Sequence, residues 1–190
     1  SIRQKSFRLY SEGNLDEAIA KWVDIEKIYK KINHQNGLVP VYFSLGLLYE
    51  ENGDNKNAKK YFNKVLSKRP NQMIKVLLLE QKDISGLGNI YVDETCFAAG
   101  VKPQRRIKTL SKVERKKIFI NTTKILQKAI KYQGTSFSNY LNSEGQLGGF
   151  QKFLKVYGRV GKPCLMCENS ELRRIKIAGR TSSYCPECQK

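Results

Sequence analysis

Histidine is nearly missing from this chain of 190 residues: His34 is the only one. A single imidazole excludes a Ser-His-Asp relay, and any multi-histidine metal site, built from this chain alone. His34 itself lies in the polar run Asn33-His34-Gln35-Asn36-Gly37 and reads as a solvated loop residue. Long apolar runs are missing as well. None approaches the roughly 18 residues that a bilayer span needs, and no basic amphipathic helix stands out, so no membrane partner is expected. The chain opens without a charged, apolar and small-residue leader pattern. Acidic residues are scarce, at 17 against 35 Lys and Arg, which leaves a net charge of +18. The excess is uneven: residues 1–72 carry 13 basic and 8 acidic side chains, whereas 73–190 carry 22 and 9. A positive field concentrated in one part favours nucleic acid, because phosphates neutralised by lysine and arginine release condensed counterions. A hydrophobic fraction of 40% is still enough to bury real cores.

Cysteine is not scarce. Four of the five fall into two pairs, Cys164-Leu-Met-Cys167 and Cys185-Pro-Glu-Cys188, with 17 residues between them. Each C-x2-C can present two thiolates from one tight turn, and two such turns supply the four tetrahedral sulfurs of a closed structural zinc site. Two disulfides are the alternative; a lysine-rich chain without a leader pattern points to a reduced compartment, where disulfides are rare. One structural Zn2+ on Cys164, Cys167, Cys185 and Cys188 is therefore expected. Cys96, inside Cys-Phe-Ala-Ala, reads as a buried small hydrophobe.

The first part of the chain repeats a pattern. Gly13-Asn-Leu-Asp-Glu-Ala18-Ile-Ala-Lys-Trp22 and Gly53-Asp-Asn-Lys-Asn-Ala58-Lys-Lys-Tyr-Phe62 each place an alanine five residues after a glycine and an aromatic four residues further on. Self-similarity of this kind signals a helical repeat. With Tyr42, Leu45, Gly46, Tyr49 and Pro70, the second copy resembles a tetratricopeptide (TPR) motif, in which Gly46 and Ala58 would let two helices approach. The first copy is truncated, and Ile32–Gly37 is expected to lengthen the connection between the two. A peptide-binding concave face is one use of such repeats; aromatics that only form the core are the simpler one.

After Pro70-Asn71 the character changes, and Met73–Lys82 reads as a short helix. Gly86-Leu-Gly88-Asn89 opens a helix running to about Ala99, and its outward N–H groups suit an anion such as phosphate. Ser111 with Glu114 is a capping-box pattern at the head of a long helix reaching about Lys131. Ile118, Ile120, Ile125, Leu126 and Ile130 supply its apolar face, and Lys116, Lys117, Lys124, Lys128 and Lys131 line much of the remainder. Gly86-Leu-Gly-Asn-Ile-Tyr91 with Glu94, Phe97-Ala-Ala-Gly-Val-Lys-Pro103, Gln133-Gly-Thr-Ser136, Tyr157-Gly-Arg-Val-Gly-Lys-Pro-Cys164 and Gly179-Arg-Thr-Ser-Ser-Tyr-Cys185-Pro-Glu-Cys188 follow in one order. Together they resemble the C-terminal half of formamidopyrimidine-DNA glycosylase, the base-excision enzyme for oxidised purines, over roughly Met73–Lys190.

That resemblance implies a helix–two-turn–helix module followed by a zinc-bearing β-hairpin finger. It implies that Asn89 contacts a phosphate at the lesion, although Asn89 could also cap its helix, and that Lys75 lies beside the lesion pocket. Arg180 would reach the phosphates flanking the everted nucleotide and assist strand-cleaving elimination. Gly134–Phe150, with Gly145, Gly148 and Gly149, would be the lid over a flipped base. The family's nucleophile is an N-terminal proline amine on a β-rich first domain. Here the chain starts Ser1-Ile2, so the polypeptide alone is expected to lack glycosylase and lyase activity.

The expected fold is mainly α: TPR-like helical hairpins over 1–72, a helix–two-turn–helix DNA-binding domain over 73–157, and a small zinc-binding β-hairpin over 158–190. The expected function is zinc-dependent binding of double-stranded DNA carrying an oxidised base or abasic site, in a bacterial cytoplasm near the nucleoid, with a protein partner for the TPR-like segment. The alternative is a TPR scaffold carrying a relic basic zinc domain.

Overall fold

The computed structural model describes residues 13–79, 87–135 and 148–190, which fall into two compact units divided at Asn71/Gln72.

In the first unit, helix α1 spans Leu15–Lys31, α2 Gln35–Glu51 and α3 Asn55–Ser67. The sequence repeat has a local cause. Gly13 and Gly53 take left-handed φ angles of 79° and 77°, and the next residues, Asn14 and Asp54, cap α1 and α3 by accepting from the N–H groups of Glu17 and Asn57. Glycine turns the chain and the short polar side chain satisfies an N–H group that no helical carbonyl reaches. Ala18 and Ala58 are then both buried. Gly46 lies so close to α3 that an added Cβ would sit 2.3 Å from the Phe62 ring. The connection between α1 and α2 is shorter than expected, comprising only Ile32–His34, because Gln35-Asn36-Gly37 form the first turn of α2. Helix openings tolerate polar residues. Gly37 is needed there, since a Cβ would meet the Tyr29 ring at 2.6 Å. His34 is exposed, as expected, with its ring edge-on to Tyr29.

A buried acid ties α1 to α3. Glu26 is 4% exposed and accepts from the Tyr61 hydroxyl at 2.7 Å, Lys64 Nζ at 3.0 Å and Lys30 Nζ at 2.7 Å. Burial pushes its carboxyl up, but these three donors outweigh burial and hold it below the usual range. Tyr61 also stacks on Tyr49, with ring centroids 5.5 Å apart.

In the second unit, α4 is described over Ile74–Leu79, starting one residue after the expected Met73; residues 80–82 lie outside those described. Its first N–H groups, on Ile74 and Lys75, donate to the carbonyls of Arg105 and Pro103. Helix α5 spans Asn89–Ala99 and stops at Gly100, whose φ of 71° is left-handed. The capping-box expectation holds: Ser111 and Glu114 satisfy each other's backbone N–H at the head of α6, Lys112–Lys131. Its buried face differs from the expected one. Ile118, Phe119, Thr122 and Ala129 are buried, while Ile130 is 76% exposed. Positions 118, 122 and 129 recur at helical spacing on one side, and 130 falls roughly a quarter turn off it.

Strands β1 (Arg173–Ile177) and β2 (Arg180–Tyr184) form an antiparallel hairpin in which Ile177 faces Arg180. The two-residue turn Ala178-Gly179 has φ angles of 48° and 77°, the pair of left-handed residues that matches strand twist. The finger shares a core with α5: Phe97, Val156, Cys164, Leu172 and Cys185 pack as one buried cluster. Thus the described unit is mainly helical with a small two-stranded hairpin, in line with that part of the expected fold.

Candidate metal centre and nucleic-acid interface

The two C-x2-C turns bring four sulfurs together. All four Sγ atoms lie within 4.8 Å of one another, with Cys164 to Cys188 and Cys167 to Cys185 each at 3.7 Å. A tetrahedron with metal–sulfur bonds of about 2.3 Å has edges of about 3.8 Å. A disulfide would need a separation of about 2.04 Å, and all five cysteines are free. Backbone N–H groups of Met166 and Cys188 donate to the sulfurs of Cys164 and Cys185, both at 3.4 Å. Burial pushes the Cys164 thiol up, but N–H groups of Cys167 and Met166 outweigh it and hold it at about 7. Four clustered sulfurs with no carboxylate or imidazole among them suit a zinc ion, and the cluster has the closed four-thiolate form of a structural zinc site.

From this centre the hairpin reaches the start of α5. The carbonyl of Thr181, next to Arg180, accepts from the Asn89 side-chain amide at 2.9 Å and from Lys75 Nζ at 3.3 Å. Gly88, not Asn89, holds the N-cap position, with an extended ψ of 174°. Asn89 is thus the first helical residue, with its side chain turned across to the finger rather than back onto its own helix. The carbonyl oxygen of its amide is buried without a partner among the described residues.

Lys75, expected beside a lesion pocket, is one of the buried charged residues. It is fully enclosed, and its ammonium pairs with Asp93 at 2.8 Å, itself enclosed. Asp93 also accepts from the Ser182 hydroxyl and the Ser183 N–H, each at 2.9 Å. Burial pushes the Asp93 carboxyl up against the pull of Lys75 and the two serine donors. The next residue, Glu94, receives the backbone N–H groups of Lys155, Val156 and Tyr157 at 2.9–3.0 Å. Burial drives its carboxyl up too, and these N–H groups offset part of that. A two-residue acidic step on α5 therefore holds the finger with one carboxylate and the 155–157 run with the other.

Arg180 is exposed at the first position of β2, together with Arg173, Arg174 and Lys176, and no acid lies between Leu172 and Tyr184. The structure brings Asn89 to the residue beside Arg180. Sequence reasoning missed Asp93, Ser182 and Ser183; the available signal was an Asp-Glu step in an otherwise apolar helix. Only the feet of the expected lid are described. The Gly149 and Phe150 N–H groups donate to the carbonyls of Tyr132 and Gly134, and the Tyr91 hydroxyl bonds Thr135. A Cβ on Gly148 would sit 2.5 Å from the Gly134 carbonyl. Gly145 lies outside the described residues.

Residues 48–140 match the sequence model described as the formamidopyrimidine-DNA glycosylase H2TH domain. The match starts inside α2, upstream of Met73, so it takes in α3 as well. The chain is 44% identical over 123 residues to the formamidopyrimidine-DNA glycosylase of Listeria monocytogenes, covering 65% of this chain and 45% of the relative. It is similar to a variant of Lactococcus lactis Fpg crystallised with Fapy-dG-containing DNA: TM-score 0.63, 40% identity, 70% of this chain and 48% of the other. The complex of Lactococcus lactis Fpg with DNA containing an abasic site matches at TM-score 0.63 and 39% identity, with coverage of 70% and 48%. The chain spans about half the length of the curated relatives it matches. Among the described residues no helix is long and apolar enough to cross a membrane.

Proposed function

We propose, from an H2TH domain of the formamidopyrimidine-DNA glycosylase type joined to a zinc-finger-like cysteine cluster, that this chain binds lesion-containing duplex DNA in base-excision repair. Asn89 and Arg180 are the proposed phosphate contacts, one from the start of a helix and one from the finger. The guanidinium offers a planar fork of donors to phosphate oxygens, and the helix start adds N–H groups and a positive dipole end. Lys75, paired with Asp93, acts from beneath by fixing the Thr181 carbonyl and with it the base of β2. The observation that carries the reading is that carbonyl, shared by Asn89 and Lys75, which ties the opening of α5 to the residue after Arg180.

The zinc ion contributes structure: it fixes the two cysteine turns that anchor the hairpin. The proposal concerns binding. Glycosidic cleavage, with Arg180 assisting elimination, is not part of it, since the matched stretch spans 45% of the Listeria monocytogenes relative. A cytoplasmic, nucleoid-associated location follows from the same reading.

Fluorescence anisotropy of the zinc-loaded protein with abasic-site and intact duplexes tests it. The abasic duplex is expected to bind more tightly, and Asn89→Ala and Arg180→Ala each to erase most of that difference. Equal affinity for the two duplexes in the unsubstituted protein would refute the reading.

A second reading applies to the first unit. We propose that its helices form TPR-like hairpins that receive a protein segment, supported by the Gly46–Phe62 approach and the matched glycine–cap starts of α1 and α3. A first unit with no peptide-binding capacity would leave the aromatics as core alone. Such an outcome would leave the DNA reading untouched.

A further inference from the structure

Helix α6 buries one side and presents the other, and the presented side is uniform in charge. Lys112, Lys116, Lys117, Lys124, Lys128 and Lys131 are all exposed. Lys117, Lys124 and Lys131 lie on the side opposite Ile118, Thr122 and Ala129, which bury the helix, with Lys128 on one flank and Lys112 and Lys116 on the other, toward Phe119. The only acid between Thr95 and Thr135 is Glu114, and it is committed to Arg105 at 2.9 Å. The helix's one arginine, Arg115, is also committed, donating to the carbonyls of Leu110 and Ile107. Among the described residues none of the six lysines takes part in a salt bridge. Lys128 lies over the Phe153 ring at 3.5 Å, which leaves its charge in place.

We propose that this lysine face is a second duplex-DNA contact, which holds a separate DNA segment by its phosphates while the finger and the start of α5 hold the first. Its span from Lys117 to Lys131 is about 21 Å, the length of roughly six phosphates along one strand. The face turns away from α5, the helix that opens with Asn89, so one surface does not simply extend the other. Its chemistry fits a sequence-independent contact: lysines are compact point charges without the fork that reads bases or clamps one phosphate. An anionic membrane fits poorly. A helix lying in the interface inserts its apolar side, and here that side is occupied by the protein core. The inference takes its kind of partner from the DNA reading but stands on a different surface.

The test uses the full zinc-loaded chain and the variant Lys117→Gln/Lys124→Gln/Lys131→Gln, with melting temperature and zinc content checked as unchanged. Protein is loaded on a bead-bound abasic-site duplex, and capture of a second, fluorescent intact duplex is measured. The unsubstituted protein should capture it and the triple variant should lose about tenfold, with the salt slope for intact duplex falling by about 2 to 3. Retention of the variant on the first duplex should stay within about twofold at low salt. Asn89→Ala/Arg180→Ala should show the reverse, losing preference for abasic beads while keeping the salt-dependent binding of intact duplex. No second capture by the unsubstituted protein, or equal capture by the triple variant, overturns the proposal. So does equal loss at both steps, or loss of binding to phosphatidylglycerol vesicles with capture unaltered. Failure of the first DNA reading is distinct, because abasic and intact beads would then load alike.

Discussion

The two units satisfy buried carboxylates in different ways. Glu26 in the first unit is met by side chains alone, those of Tyr61, Lys64 and Lys30. Glu94 in the second is met by main-chain N–H groups of residues 155–157, and Asp93 by a lysine, a hydroxyl and the Ser183 N–H. Side-chain partners can move aside or be replaced. Main-chain partners cannot, so a carboxylate that collects them dictates the path of a distant stretch of chain. The first arrangement cross-links neighbouring helices; the second positions a finger and the 155–157 run.

The sharpest way to break the comparison is to remove the metal. Chelation, or Cys185→Ser, should unfold the finger, because the free energy of zinc binding at such sites is on the order of 10 kcal/mol or more and is available only to the folded form. Far-UV circular dichroism should keep most of its helical signal, since none of the three helices of the first unit contains a zinc ligand. Complete loss of helix would show that the first unit does not stand by itself.

Next in size is Glu94→Ala, which strands three N–H groups and should cost roughly 3 kcal/mol or more in chemical denaturation. Amide exchange at 155–157 should accelerate before exchange elsewhere. Asp93→Ala should cost about as much, roughly 3 to 5 kcal/mol, by leaving Lys75 charged and alone, whereas the paired change Lys75→Met/Asp93→Leu should recover most of it. Recovery would identify the pair as an aiming device for the hairpin rather than a source of stability, and loss of abasic-site preference in that double variant would confirm it.

Glu26→Gln should cost less, about 1 to 2 kcal/mol, because flexible partners re-solvate. Its pH signature has a definite sign. The folded-state pKa lies below the ordinary 4.5, so the contribution is present above that value and is lost as pH falls through the folded pKa. A denaturation series from pH 6 to about pH 3 should show the unsubstituted first unit weakening and Glu26→Gln nearly flat in comparison. The smallest effect concerns the hairpin tip. Ala178 occupies a left-handed conformation at φ 48°, so Ala178→Gly should stabilise the finger by up to about 1 kcal/mol, read as a rise in melting temperature.

Much of the second unit was legible because its signals are local. Ser111 and Glu114 satisfy each other within one turn, Gly100 ends α5 where a left-handed residue is required, and each pair of cysteines lies within one short turn. What was not legible depended on distance or direction. Lys75 carries no mark in sequence that its partner is Asp93, and nothing near Asp93 announces Ser182 and Ser183. Residue type alone points Ile130 to the core, yet it is exposed while Thr122 is buried, its hydroxyl satisfied by the Ile118 carbonyl four residues back. In the first unit the pattern Gly-Asn or Gly-Asp followed by a buried alanine encodes how a helix begins, and it would serve any helical hairpin. The residues therefore specified the helices more firmly than the architecture that uses them.

Cys164 and Cys185 also form part of the apolar wall beneath Phe97 and Val156. Two of the metal's ligands are therefore keystones of the packing that seats α5, and an empty site would slacken the foundation of that helix along with its appendage. On the proposed DNA reading, cellular zinc supply would then govern how well the polypeptide tells a gap in the base stack from ordinary duplex.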